Sequence, residues 1–214
     1  MLEKLYPQRP FRKPLGYIKH RKYKEIAQGT AGVVWEAFDI EKGNIIAVKT
    51  IYSDKEKIDV FKREADIMAQ LSHKNIVKFL GSKVFRKENK LEIYMELIDG
   101  WTLKQLLHQH IHLMEDVTAC YTAQILAALE FVHARELIHL DIKSLNVLID
   151  KNGVAKLTDF GSYIHLSEPR TPSVGTIFWM APEVLTSTHY ERWADIWSLG
   201  CVVYEMLVGE SPFK

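Results

Sequence analysis

The chain changes texture near residue 100, and that change constrains the fold more than any other feature. Residues 23–100 carry short runs rich in Val, Ile, Tyr and Phe: Lys22–Ala27, Val33–Asp39, Ile45–Ile51, Lys78–Phe85 and Leu91–Leu97. Clusters of Gly, Asn, Asp or Lys bound them, so they read as strands joined by turns. Glu41-Lys42-Gly43-Asn44 reads as a hairpin turn, with Gly43 and Asn44 suited to positive φ. One helix is expected among the strands: Lys57–Leu71 spaces Ile58, Phe61, Ala65 and Met68 along one face. Residues 101–214 read as mostly helical, over Thr102–Gln109, Asp116–Ala134 and Ala194–Val208. The last of these is apolar nearly all round and is expected to be buried. The pattern predicts an α+β chain, with a small antiparallel β-sheet lobe carrying one helix and a larger, mostly helical lobe. The joint falls near Glu96–Gly100, and ligand sites favour such joints.

Composition excludes several classes of function. Lys and Arg number 28 and Asp and Glu 27, so a net charge of +1 gives no overall pull toward nucleic acid or a membrane surface. The longest apolar runs are far too short to span a bilayer, and residues 1–25 contain no apolar stretch of the secretory type. Two cysteines, Cys120 and Cys201, suggest neither a disulfide framework nor a zinc site, which favours the cytosol or the nucleus. Residues 1–22 form a basic extension and read as solvated chain leading into the first strand, with an acidic docking partner as the alternative.

Several segments carry chemistry. Gly29-Thr30-Ala31-Gly32 lies between two strands, where glycines let backbone amides approach phosphates; by itself such a glycine pair is more often a turn. Ala47-Val48-Lys49 ends an apolar strand, and Glu64 lies on the helix that follows. His139-Leu140-Asp141-Ile142-Lys143-Ser144-Leu145-Asn146 places an acid, a lysine two residues on and an asparagine five residues on in one loop ahead of an apolar strand. Asp159-Phe160-Gly161 follows another short strand; an Asp and an Asn supply hard oxygen ligands suited to Mg²⁺. Gly175-Thr176, Trp179-Met180-Ala181-Pro182-Glu183 and Asp195–Gly200 come next.

In order and spacing these segments resemble the protein-kinase signature set, over most of residues 23–214. Gly175–Glu183 and Asp141-Ile142-Lys143 are most similar to Ser/Thr kinases of the MAP kinase kinase kinase and p21-activated groups. The resemblance implies a two-lobed fold, with residues 23–98 as the small lobe and 99–214 as the large one. It also implies ATP and Mg²⁺ as cofactors and protein serine and threonine as acceptors. Lys49 would hold the α- and β-phosphates and pair with Glu64, Asn146 and Asp159 would ligate Mg²⁺, and Asp141 would accept or orient the substrate hydroxyl. Lys143 would lie near the γ-phosphate, and Thr176 would bond the catalytic Asp and Lys. Ala27, Gly29 and Gly32 would form the phosphate loop. Val34, Ala47 and Leu148 would sandwich the adenine, with Met95 as gatekeeper and the Glu96 carbonyl and Ile98 N–H on its edge. Met68, Phe79, His139 and Phe160 resemble an apolar column linking the lobes, although His139 reads first as a satisfied structural histidine.

The sequence departs from the family at three places. Ala27 replaces the usual first glycine. Leu140 replaces the arginine that normally meets a phosphate on the activation segment, so activity independent of phosphorylation at Thr171 or Ser173 is expected. The chain stops at Lys214 where relatives continue, so it reads as a fragment of a longer kinase. Glu183 would then lack its arginine partner, and apolar residues of Val202–Leu207 would face water or a covering partner. A pseudokinase or ATP-binding scaffold is the alternative reading, and a small-molecule kinase is a third. A nucleic-acid role has only the basic N-terminus behind it.

Overall fold

A computed structural model of the 214-residue chain describes residues 16–29, 32–160, 164–165, 177–186 and 191–213, without the side chains of residues 63, 64, 164 and 165. The chain divides into two compact units. One holds the described residues up to 72 together with 77–97, and the other holds 73–76 and everything from 98 onward.

The first unit is a five-stranded antiparallel sheet: β1 (His20–Gly29), β2 (Gly32–Asp39), β3 (Ile45–Tyr52), β4 (Phe79–Phe85) and β5 (Lys90–Glu96), in the order β1-β2-β3-β5-β4. The β2–β3 turn closes on Asp39: its carbonyl accepts from Gly43, and its carboxylate caps the amides of Glu41 and Lys42. Gly43 takes the positive φ expected of it; Asn44 does not. A single helix, α1 (Lys55–Met68), is capped by Asp54, whose carboxylate accepts from the Lys57 amide, and it packs on β4 and β5. Ile58, Ala65 and Met68 are its buried residues, on the apolar stripe that the sequence predicts.

Cross-strand register sorts the side chains onto two faces. Ala27, Val34, Lys49 and Ile93 form one row of partners, and Glu36, Ala47, Met95 and Phe79 form the row two residues along on the same face. The opposite face carries the buried cluster Ala37, Ile46, Val48 and Tyr94, with Ile18, Trp35 and Leu80 packed against it.

That second face also buries a charge. Glu92 is 3% exposed. Lys22 donates to its carboxylate at 2.7 Å and to the Thr50 hydroxyl, and Tyr94 donates to the other carboxylate oxygen at 3.0 Å. Burial pushes the Glu92 carboxyl up, but the hydrogen bond and charge of Lys22, with the Tyr94 hydroxyl, outweigh it and hold the group below the ordinary range. A depressed folded value means that this group stabilises the fold above its unfolded pKa, about 4.3. The contribution is lost as pH falls through that value toward the folded one. Lys22→Met is therefore expected to lower Tm at pH 7 and to flatten its decline below about pH 4.3. Thermal melts of the two proteins at pH 3–7 check this; parallel curves would contradict it.

The second unit is built on helices. β6 (Gly100–Thr102) leads into α2 (Leu103–His110), whose start is closed by a reciprocal capping box between Thr102 and Gln105. Then come α3 (Glu115–His133), β7 (Leu137–Ile138), β8 (Val147–Asp150), β9 (Ala155–Leu157), β10 (Ile164–His165), α4 (Pro182–Thr186) and α5 (Trp193–Val208). β6, β8 and β9 form one small sheet, and β10 pairs with β7. Gly100 is required where β6 crosses β8, because a Cβ there would lie 1.9 Å from the Ile149 carbonyl oxygen. α3 packs on β9 and α5. Its Ile125, Ala128, Leu129 and Val132, with Leu103, Leu107, Ile142 and Val147, fill the core.

α5 corrects one expectation. Its apolar residues are not all buried: Trp193, Ile196, Trp197, Tyr204, Leu207 and Val208 are exposed, whereas Leu199, Val202 and Met206 are core. Of the residues expected to face water between 202 and 207, Val202 and Met206 are thus fully enclosed. Helical periodicity orders the residues around the axis, but composition alone does not show which side a neighbour covers.

Candidate active site

The loop between β7 and β8 carries a tight polar constellation within the second unit. Lys143 Nζ donates to both carboxylate oxygens of Asp141, at 2.9 and 2.8 Å. Asn146 Nδ2 donates to the Asp141 carboxylate at 2.7 Å and to its carbonyl at 2.8 Å. The spacing of two and five residues thus folds an acid, a cation and an amide onto one another, because a short 3₁₀ turn at Ser144–Asn146 brings the asparagine back. Asp141 keeps about a tenth of its side chain open to solvent, so a substrate hydroxyl could reach it.

The loop is tied to the residue ahead of Asp159. The Thr158 amide donates to the Asn146 carbonyl at 3.0 Å, and the Thr158 carbonyl accepts from His139 Nε2 at 3.2 Å. His139 is completely buried, and its Nδ1 accepts from the Asp141 amide at 3.3 Å, so both ring nitrogens have partners. It is the satisfied structural histidine that the sequence suggests, with the Phe160 ring 4.7 Å away. Asp159 adopts φ +59°, a left-handed conformation that an Asp rarely takes without constraint from its surroundings.

Beneath the loop, Asp195 of α5 is fully buried. One carboxylate oxygen accepts from the Leu140 amide at 2.8 Å; the other accepts from the His139 amide at 2.9 Å and from His133 Nε2 at 2.7 Å. An acid in a helix core thereby fixes the backbone on which Asp141 is carried. Leu140 takes φ +61° and packs with Ile138, Met180, Ala181, Val184 and Ala194. Where the family's arginine would present a charge, this chain joins the loop to the 180–184 segment by apolar contact.

The remaining predicted residues are placed as follows. Leu148 lies in β8, opposite Lys156 and Thr102. In the first unit, Ala27, Val34, Ala47, Lys49 and Met95 share one sheet face. Gly29 faces Gly32 at the β1–β2 turn. Gly32 has φ +128°, and a Cβ there would lie 2.3 Å from the Thr50 carbonyl oxygen, so only glycine fits. Glu96 ends β5, and Ile98 opens the second unit. Glu64 lies on α1, its side chain outside the description, and Gly161, Thr171, Ser173 and Thr176 lie outside the described residues.

Asn146 and Asp159, expected to hold Mg²⁺, are oxygen donors of the kind that ion takes. Among the described residues no three His, Cys, Asp or Glu form a cage. Mg²⁺ asks for less, since one or two protein oxygens suffice when phosphates and water complete the shell. Asn146 spends its NH₂ on Asp141, so its side-chain carbonyl oxygen is the atom left to serve a cation.

Comparison with known proteins gives a concordant result. Residues 20–214 match the family described as protein kinase domain. A mitogen-activated protein kinase kinase kinase 3 of Arabidopsis thaliana is 37% identical over 210 residues, covering 94% of this chain and 34% of the relative. The serine/threonine-protein kinase pak-2 of Caenorhabditis elegans is 40% identical over 195 residues, covering 89% and 37%. The human mitogen-activated protein kinase kinase kinase 3 is 36% identical over 216 residues, covering 95% and 34%. The chain belongs to the protein kinase domain family. It spans about a third of the length of these relatives. Among the described residues no helix is long and apolar enough to cross a membrane.

Proposed function

We propose that this chain transfers the γ-phosphoryl group of ATP to serine or threonine hydroxyls of protein substrates, in intracellular signalling. The observation that carries the reading is the Asp141 carboxylate held by Lys143 and Asn146 in a loop anchored on Asp195. Asp141 orients the acceptor hydroxyl and takes its proton as the oxygen attacks the γ-phosphorus; the bond to the β-phosphate oxygen breaks and ADP leaves. Lys143, already paired to Asp141, offsets charge on the γ-phosphoryl group. Lys49 holds the α- and β-phosphates with Glu64 as its partner, and Thr176 braces Asp141 and Lys143. Gly29 and Gly32, beside Ala27, present backbone amides to the phosphates. Asn146 and Asp159 hold Mg²⁺, which when bound neutralises charge on the phosphates. Val34, Ala47 and Leu148 take the adenine faces, Met95 limits the depth, and the Glu96 carbonyl and Ile98 amide take its edge. The cytosol or nucleus is the expected location.

The full-length protein incubated with Mg-ATP and either Ser/Thr peptides or a pool of small hydroxyl metabolites tests this. Phosphoserine or phosphothreonine on peptide is expected. Phosphorylation of metabolites alone would contradict it, and nucleotide-dependent stabilisation without any transfer would point to a binding module instead.

Apolar packing at Leu140 also supports independence from activation-segment phosphorylation. Phosphatase-treated enzyme is expected to keep its kcat within about twofold, because a phosphate there would lack its arginine partner. Loss of activity on dephosphorylation would contradict this.

A further inference from the structure

β1 is an edge strand, and little holds its second half. Tyr23 to Gly29 are all exposed, so no core packing fixes them. Their ladder to β2 is interrupted twice. The register shifts between Lys22 and Lys24 and again between Glu25 and Ala27, which leaves Tyr23 and Ile26 as bulged residues. Ahead of the first bulge the strand is anchored, because Lys22 donates to Thr50 and Glu92. Beyond that point, among the described residues, one side-chain hydrogen bond joins residues 23–29 to the rest of the sheet: Tyr23 Oη donates to Glu36 Oε1 at 2.5 Å.

A bulge re-aims the residue that it releases from pairing, and here it sends Tyr23 across to β2. Glu36 lies on the sheet face that carries Val34, Ala47 and Lys49, two residues along β2 from Val34. The bond therefore closes the β1–β2 hairpin on the face assigned to the nucleotide. From there the hairpin runs through Ala27 and Val34 to the turn at Gly29 and Gly32. An edge hairpin with a twice-broken ladder and no buried residue on β1 from Tyr23 onward opens at low cost, and each opening moves the amides at its tip. The hydrogen bond to Glu36, foremost, pushes the Tyr23 hydroxyl up to about 12, so it keeps its proton and remains a donor across the neutral range.

We infer that Tyr23 and Glu36 are positioning residues for the nucleotide: their bond clamps the β1–β2 hairpin, so that the backbone amides of Gly29 and Gly32 meet the phosphates in one fixed arrangement. The inference rests on the reading above, which places the phosphates at this hairpin, and it names the side chains that hold the hairpin still.

The test is titration calorimetry of Mg-ADP into the full-length protein, beside steady-state kinetics, for Tyr23→Phe, Glu36→Leu, Glu36→Gln and the double variant Tyr23→Phe with Glu36→Leu. Tyr23→Phe and Glu36→Leu each remove the bond, and each is expected to weaken Mg-ADP binding about fivefold. Glu36→Gln keeps an acceptor oxygen and is expected to stay within about twofold of wild type. The double variant is expected to bind no more weakly than either single one, because both changes remove the same bond. KM for peptide is expected to stay within about twofold and Tm within about 2 °C, since the bond lies at the surface. Unchanged Mg-ADP binding in Tyr23→Phe and Glu36→Leu, a double variant equal to the product of the singles, or a KM for peptide that rises alongside would overturn the inference and leave the kinase reading intact. The expected losses in a protein whose wild type leaves peptide unphosphorylated would support the clamp and overturn the kinase reading. A folded wild type that binds no Mg-ADP would overturn both.

Discussion

Asp141→Ala is expected to lower kcat by about 10²–10⁴-fold, the range for losing a positioned general base. The geometry sets what else changes. Asp141 holds the Lys143 ammonium through both oxygens and the Asn146 amide through one, so the variant frees two polar side chains. Lys143 is half-buried at a loop edge and can turn toward water, so the folding cost stays modest. KM for ATP is expected to change less than kcat, because the adenine and the α- and β-phosphates are assigned to other residues. Asp141→Asn keeps the shape but cannot take a proton, and should lose nearly as much. A kcat within about tenfold of wild type in both variants would remove Asp141 from the role of base.

The largest expected effect on stability is at Asp195. Asp195→Ala leaves the His139 and Leu140 amides without their acceptor in a core site, and a buried unsatisfied donor costs about 1–3 kcal/mol. Two such donors total about 4 kcal/mol, a large share of a typical 5–15 kcal/mol. For a chain of this size Tm should fall by roughly 10 °C. Asp195→Asn keeps one acceptor oxygen and should lose about half as much. Because the two amides immediately precede Asp141, the folded fraction should also turn over more slowly. Urea unfolding followed beside kcat separates the two effects, and a Tm within about 2 °C of wild type would contradict the anchoring role.

These two residues also show how much was legible in the sequence. Asp141, Lys143 and Asn146 sit within six positions, so a motif in one loop fixes their proximity, and the structure brings them together as expected. The five strands and the helix of the first unit follow from β-branched runs and a one-sided stripe, with ends displaced by up to three residues. The anchors were harder to see. Asp195 and Glu205 meet partners across loops 55 and 61 residues away in sequence, beyond any local pattern. One signal was available: both are acids within an otherwise apolar helix, and such acids are rarely buried without partners. The exposed side of the same helix shows the converse, since hydrophobic composition does not reveal what lies against it. Ser144 reads as an ordinary turn residue until its hydroxyl is seen on Glu205.

The central claim is phosphotransfer that depends on Lys49 and Asp159. Its most direct test is transfer from γ-labelled ATP to a Ser/Thr peptide by full-length wild type, Lys49→Met and Asp159→Ala. Turnover on the order of 1–100 s⁻¹ is predicted for the wild type, with phosphoserine or phosphothreonine as the product and label lost in both variants. Undiminished label in either variant, or none from a folded wild type, would contradict the account.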